Sequence, residues 1–273
     1  IAAGKQGQLV GTAGAAYAAT GAKFAVDCIA GKYSTDGDGA CADIAAGKQG
    51  QLVVTAGAAY AATGAEFAVD CVKGKFELNG NAACADTPAG HVGRVANDAH
   101  AFANEVGALY SSPCSAGYFR VAAAVGTTAD CVDIAAGKQG QLVVTAGAAY
   151  AATGAEFAVD CVKGKFELNG NAACADTPAG HVGRVVQDTH AFANEVGALY
   201  SSPCSAGYFR VAAAVGTTAD CLDIAAGKQG QLVGTAGAAY ATPGAVFQVA
   251  CVAGKYSTDG DGACADIAAG KQG

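Results

Sequence analysis

Between Thr87 and Pro113 the apolar positions fall at Val92, Val95, Ala99, Phe102, Val106 and Leu109, in steps of three and four residues. That is the period of one helix face. Thr87 is a good N-cap, Pro88 sits at the first helical position, where proline is tolerated, and Pro113 stops the run. The stretch 43–71 supports a related reading. Asp43 can cap, Gly50, Gly57 and Gly64 recur every seven residues, and Val53, Tyr60 and Phe67 follow three residues after each. A helix here would alternate small and large positions down one packing stripe, letting bulky side chains enter glycine grooves on the next helix. Two features oppose it: interior glycine costs about 1 kcal/mol relative to alanine, and Pro243 stands where Thr63 stands in the copy. The competing reading ends the helix near Ala62, caps it at Gly64 and gives 66–72 to a strand. The longer helix is preferred.

Behind this stretch the pattern changes period. Phe76, Glu77 and Leu78 alternate before Asn79–Gly80, a strong hairpin-turn signal. Ser-Thr-Asp-Gly-Asp-Gly takes that place at 34–39 and 257–262, and a longer, more apolar stretch takes it at 118–125.

These patterns recur. Residues 1–43, 44–86, 134–176 and 224–266 form one repeat type (A), 87–133 and 177–223 a divergent type (B), and 267–273 start a further copy. Segments 44–133 and 134–223 differ at four of ninety positions: Ala96/Val186, Asn97/Gln187, Ala99/Thr189 and Val132/Leu222. Such fidelity marks an array of small units, each needing neighbours or staples. The chain begins without Met and ends inside its own motif, so the expectation is an excerpt of a longer mature protein. The fold expected is an α+β repeat array: disulfide-stapled helix-plus-hairpin repeats of 43–47 residues, stacked as a solenoid or fibril. The alternative is a mostly α antiparallel helix array.

Twelve cysteines supply candidate staples, two per repeat: Cys28–Cys41, Cys71–Cys84, Cys114–Cys131, Cys161–Cys174, Cys204–Cys221 and Cys251–Cys264. None lies in a CxxC pair, which favours disulfides in an oxidising, extracellular compartment over zinc or redox chemistry. A helix over 44–71 would be about 40 Å long. An extended return over 72–86 covers about 45–50 Å and would make successive helices parallel, with Cys84 bonding elsewhere. The local pairing needs fewer assumptions, because a short loop closes cheaply.

Composition removes several functions. With 40 Gly, no Trp and no Met, the chain has little bulky core, and the net charge of −7 opposes nucleic-acid binding. That charge also counts against reading Gly-Lys-Gln-Gly at 4–7 as a nucleic-acid loop. No run of 18 apolar residues lacks charge or strong polarity, so membrane insertion is not expected.

The strongest metal candidates are Asp36, Asp38, Asp259 and Asp261, whose alternation with glycine can present oxygens to calcium. They lack the third ligand and the bidentate glutamate of an EF-hand, so plain turns are the preferred reading. His91 and His100 would point to opposite faces of a helix and so cannot chelate one ion. Ser111, Ser112 and His100 offer no triad setting, and Glu66 with Asp70 reads as a solvated face. The seven asparagines include no Asn-X-Ser/Thr sequon. Thr127–Thr128, Ser111–Ser112 and the repeat threonines are candidate carriers of O-linked glycans. No cofactor is expected.

No site repeats together with a base, a nucleophile and an orienting partner, so the chain is not expected to be an enzyme. The expectation is an extracellular structural protein that partners with itself, head to tail, to form a fibril. The alternative is a cell-surface coat antigen or adhesin that uses its repeats for multivalent binding, with glycans among its partners. Its contact face would carry His91, Arg94, His100 and Arg120.

Overall fold

A computed structural model describes residues 1–98, 101–187, 191–241 and 243–268. It overturns both expected folds. Among the described residues there is no α-helix; two short 3₁₀ turns, Ala122–Ala124 and Ala212–Ala214, are the helical elements, and the strands pair as small antiparallel hairpins joined by turns and loops. The chain divides into two compact bodies: Ile1–Val132 with Thr153–Glu156, and Asp133–Ala152 with Phe157–Gly273.

The first repeat contains two hairpins. Strand β1 (Lys5–Gln8) pairs with β2 (Phe24–Asp27) in the register Lys5↔Asp27 to Gln8↔Phe24. Strand β3 (Lys32–Tyr33) then pairs with β4 (Ala42–Asp43). The first hairpin recurs in the same register as Lys48–Gln51 with Phe67–Asp70, as Lys138–Gln141 with Phe157–Asp160, and as Lys228–Gln231 with Phe247–Ala250. In type B it is His91–Arg94 with Tyr110–Pro113, and His181–Arg184 with Tyr200–Pro203.

The glycines decide against the helix. Gly57 and Gly64 take φ of 78° and 66°, and Gly90 and Gly107 take 69° and 68°. Those values belong to left-handed turns and cannot continue a right-handed helix. The expected stripe therefore scatters. Gly50 lies in a strand, Val53 is half exposed, Gly57 and Gly64 turn the chain, Tyr60 reaches the next loop, and Phe67 pairs with Gln51. In type B, Val92 is fully buried whereas Val95, Phe102 and Val106 are exposed. The seven-residue glycine spacing joins one strand position, Gly50, to two turns, Gly57 and Gly64.

Each repeat is closed by one disulfide: Cys28–Cys41, Cys71–Cys84, Cys161–Cys174 and Cys251–Cys264 span 13 residues, and Cys114–Cys131 and Cys204–Cys221 span 17. All twelve cysteines are bonded. They are also much of the interior. In the second body Val182, Ala191, Cys204 and Cys221 pack together, as do Phe209, Ile224 and Ala245. Bridges closing loops of this length contribute about 3 kcal/mol each, a large share for repeats that bury so few large side chains.

Candidate functional site

Two features recur in each repeat type concerned: the junction to the following repeat, and a cleft over the disulfide. The junction is backbone on backbone. In the first body the Ser34 amide donates to the Ala65 carbonyl at 3.0 Å, and the Gly64 amide donates to the Cys28 carbonyl at 2.7 Å. The same two bonds join Glu77 to Ala108 and Gly107 to Cys71, then Arg120 to Ala155 and Gly154 to Cys114. In the second body they join Glu167 to Ala198 and Gly197 to Cys161, then Arg210 to Ala245 and Gly244 to Cys204. The approach is so close that a Cβ on Gly4, Gly47, Gly90, Gly137 or Gly180 would lie 2.1–2.3 Å from the carbonyl oxygen of Gly64, Gly107, Gly154, Gly197 or Gly244 respectively.

The residue that carries the first of these bonds, Ser34, Glu77, Arg120, Glu167 or Arg210, stands six positions after the first cysteine of its repeat, an offset that Ser257 shares in the last repeat. Its side chain orders the loop behind it. Ser34 Oγ accepts from the Gly37 amide, and Glu77 Oε2 accepts from the Asn79 and Gly80 amides. Arg120 is fully buried, and its guanidinium donates to the carbonyls of Thr87, Pro88, His91, Ala124, Thr127 and Ala129. Burial lowers its pKa below the ordinary guanidinium value, and the nearby Asp130 carboxylate opposes that. Sequence reasoning missed this position because three chemistries share it. Its constant offset from the cysteine was the available signal.

A glutamine fixes the cleft. Gln49 Nε2 donates to the Ala58 carbonyl at 3.0 Å while its Oε1 accepts from the Cys84 amide at 2.8 Å, tying the long loop to the disulfide. Gln6, Gln139 and Gln229 make the same pair of bonds. Above lies a cavity of about 170 Å³ lined by Tyr60, Asp70, Val72, Lys75 and the two cysteines. Equivalent cavities of about 190, 200 and 220 Å³ lie beside Tyr17, Tyr150 and Tyr240. Each tyrosine hydroxyl donates to a loop carbonyl, that of Asp38, Asn81, Asn171 or Asp261. Burial raises the Tyr150 pKa, and the Glu167 charge adds to it. The carboxylate at the rim is bonded to the strand opposite, Asp70 to Lys48 at 2.6 Å and Asp160 to Lys138 at 2.7 Å. The rim lysine is bonded to the next strand, Lys75 to Asp86 and Lys165 to Asp176. At Tyr240 the carboxylate position is Ala250.

The other sequence candidates fall elsewhere. Asp36 Oδ1 accepts from the Asp38 amide and Asp259 Oδ1 from the Asp261 amide, each closing its own turn. Among the described residues no group of three or more His, Cys, Asp or Glu side chains is gathered for a metal. His100 lies outside the described residues, while His91 Nδ1 sits 3.0 Å from the Ala89 carbonyl oxygen. Arg94 is paired with Asp98 and Glu105. Arg120 is buried and so is not part of an exposed contact face on type B. Glu66 and Asp70 are not a helical pair, since Asp70 faces Lys48 across a hairpin. Ser112 is buried and the Ser111 hydroxyl is enclosed, whereas Thr127 and Thr128 are both exposed, Thr127 Oγ1 donating to the Ala124 carbonyl.

No protein-family model matches the chain, and comparison with curated proteins returns no relative. The molecule is a tandem-repeat protein of disulfide-bonded hairpins. Its six disulfides fit an oxidising, extracellular type of compartment. No described helix is long and apolar enough to cross a membrane.

Proposed function

We propose that this chain is an extracellular structural protein whose repeats stack on one another and on further copies, end to end, to build a fibril. The observation that carries the reading is the indifference of the junction to repeat type. A meets A at Gly4–Gly64, A meets B at Gly47–Gly107, and B meets A at Gly90–Gly154, each through the same two backbone bonds. A contact made by main chain asks of side chains only that the glycine be kept, so repeats of either type can seat a type A neighbour, and type A can also seat type B. Such heterologous contacts extend when the rotation between neighbours does not close a ring. The reading assigns no catalysis and needs no cofactor; the principal partner is the chain itself.

Sedimentation velocity of the unreduced chain over a range of concentrations tests this. Species that grow with concentration support it. A single monomeric species at every concentration overturns it.

A further inference from the structure

We propose that the cleft of each type A repeat binds one sugar residue of a neutral glycan, which makes the chain multivalent for a polysaccharide. The cavities, about 170–220 Å³, are below the range of drug-sized pockets, which run from about 300 Å³ upward. They suit a single ring. Small residues keep the space open: Gly57, Ala58 and Ala83 line it beside Tyr60. The tyrosine is a rigid aromatic wall, its hydroxyl hydrogen committed to the Asn81 carbonyl and its oxygen lone pairs left to accept. Such anchors lose little conformational entropy on binding.

The charges favour a neutral ligand over an ion. Asp70 is already neutralised by Lys48, and Lys75 by Asp86. An anion or a zwitterion would compete with a formed ion pair. A hydroxyl can share instead, donating to a remaining carboxylate lone pair or accepting from a remaining ammonium hydrogen. One cleft of this size binds weakly, but four along one chain gain by effective concentration on a polymeric ligand. This inference is independent of end-to-end stacking. It also relocates the multivalent surface from the type B residues to type A.

Saturation-transfer NMR on the full, unreduced chain tests it, with tetramers of glucose, mannose and N-acetylglucosamine as neutral probes at millimolar concentration. Glucuronate tetramer and diglycine are the charged probes. The expected result is transfer to at least one neutral tetramer, with ring resonances of Tyr17, Tyr60 and Tyr150 shifting more than those of Tyr240, where Ala250 removes the carboxylate. The triple variant D27N/D70N/D160N is expected to weaken binding about five-fold, toward the Tyr240 cleft. Should that variant not fold, the contrast between Tyr240 and the other three in the natural chain decides the matter. No transfer to any neutral probe, transfer to charged probes alone, or shifts that spare the four cleft tyrosines would each overturn the proposal.

Discussion

A Cβ atom on Gly47 would stand 2.3 Å from the carbonyl oxygen of Gly107, in the following repeat. Gly47 also holds a φ of 78°, so alanine there is strained by its own backbone as well as by its neighbour. Gly47→Ala is expected to destabilise its junction by about 3 kcal/mol or more. Hydrogen exchange should register this first at the Gly107 and Cys71 amides. Gly39→Ala is the control: no described atom lies within 4 Å of its Cβ position and its φ is not left-handed, so no junction amide should respond.

Gln49 is the second lever. Gln49→Ala removes a donor from Ala58 and leaves the buried Cys84 amide without its acceptor, a loss of about 2–3 kcal/mol. Gln49→Glu should cost at least as much, because it keeps the acceptor but sets a carboxylate oxygen against the Ala58 carbonyl. Urea unfolding followed by hydrogen exchange within repeat 44–86 measures both.

Arg120 organises type B as Glu77 organises type A. Arg120→Met fills much of the volume but takes the guanidinium donor from six carbonyls, of which Pro88, Ala124 and Ala129 keep other donors, and a cost of about 3–5 kcal/mol is expected. Arg120→Lys should recover only part of this, since an ammonium cannot span the fork-shaped set of acceptors. Faster exchange at the Gly90 and Gly154 amides is the readout.

Tyr150 gives the fold a pH dependence. Burial and the Glu167 charge raise its folded pKa, so an unfolded phenol ionises first as the solution turns alkaline. The stability associated with this group is therefore complete below about pH 10 and falls as pH rises through the folded value. Spectrophotometric titration of the wild type against Tyr150→Phe should show one phenol ionising above the ordinary range. Stability measured between about pH 9 and 11 should fall more steeply in the wild type.

The repeat and its bonded cysteines were legible because identity and spacing survive without any knowledge of conformation. The strands were not. Val92, Val95, Phe102 and Val106 obey a helical period, yet three of the four are exposed; the period came from turns set by Gly90 and Gly107 rather than from a buried face. Gly50, Gly57 and Gly64 share one spacing and do two different jobs, and only φ separates them. The cleft was hidden for another reason. Tyr60, Asp70 and Lys75 are brought together by hairpin register and by Gln49, neither of which a linear pattern displays. Pro243 was the residue that argued most plainly against a helix, and it was outweighed by periodicity.

The most direct test of the account is electron microscopy of the native, unreduced chain. End-to-end stacking of repeats requires long filaments whose axial period matches a whole number of repeats, and their loss when the six disulfides are reduced. Isolated particles of constant size at every concentration would contradict it.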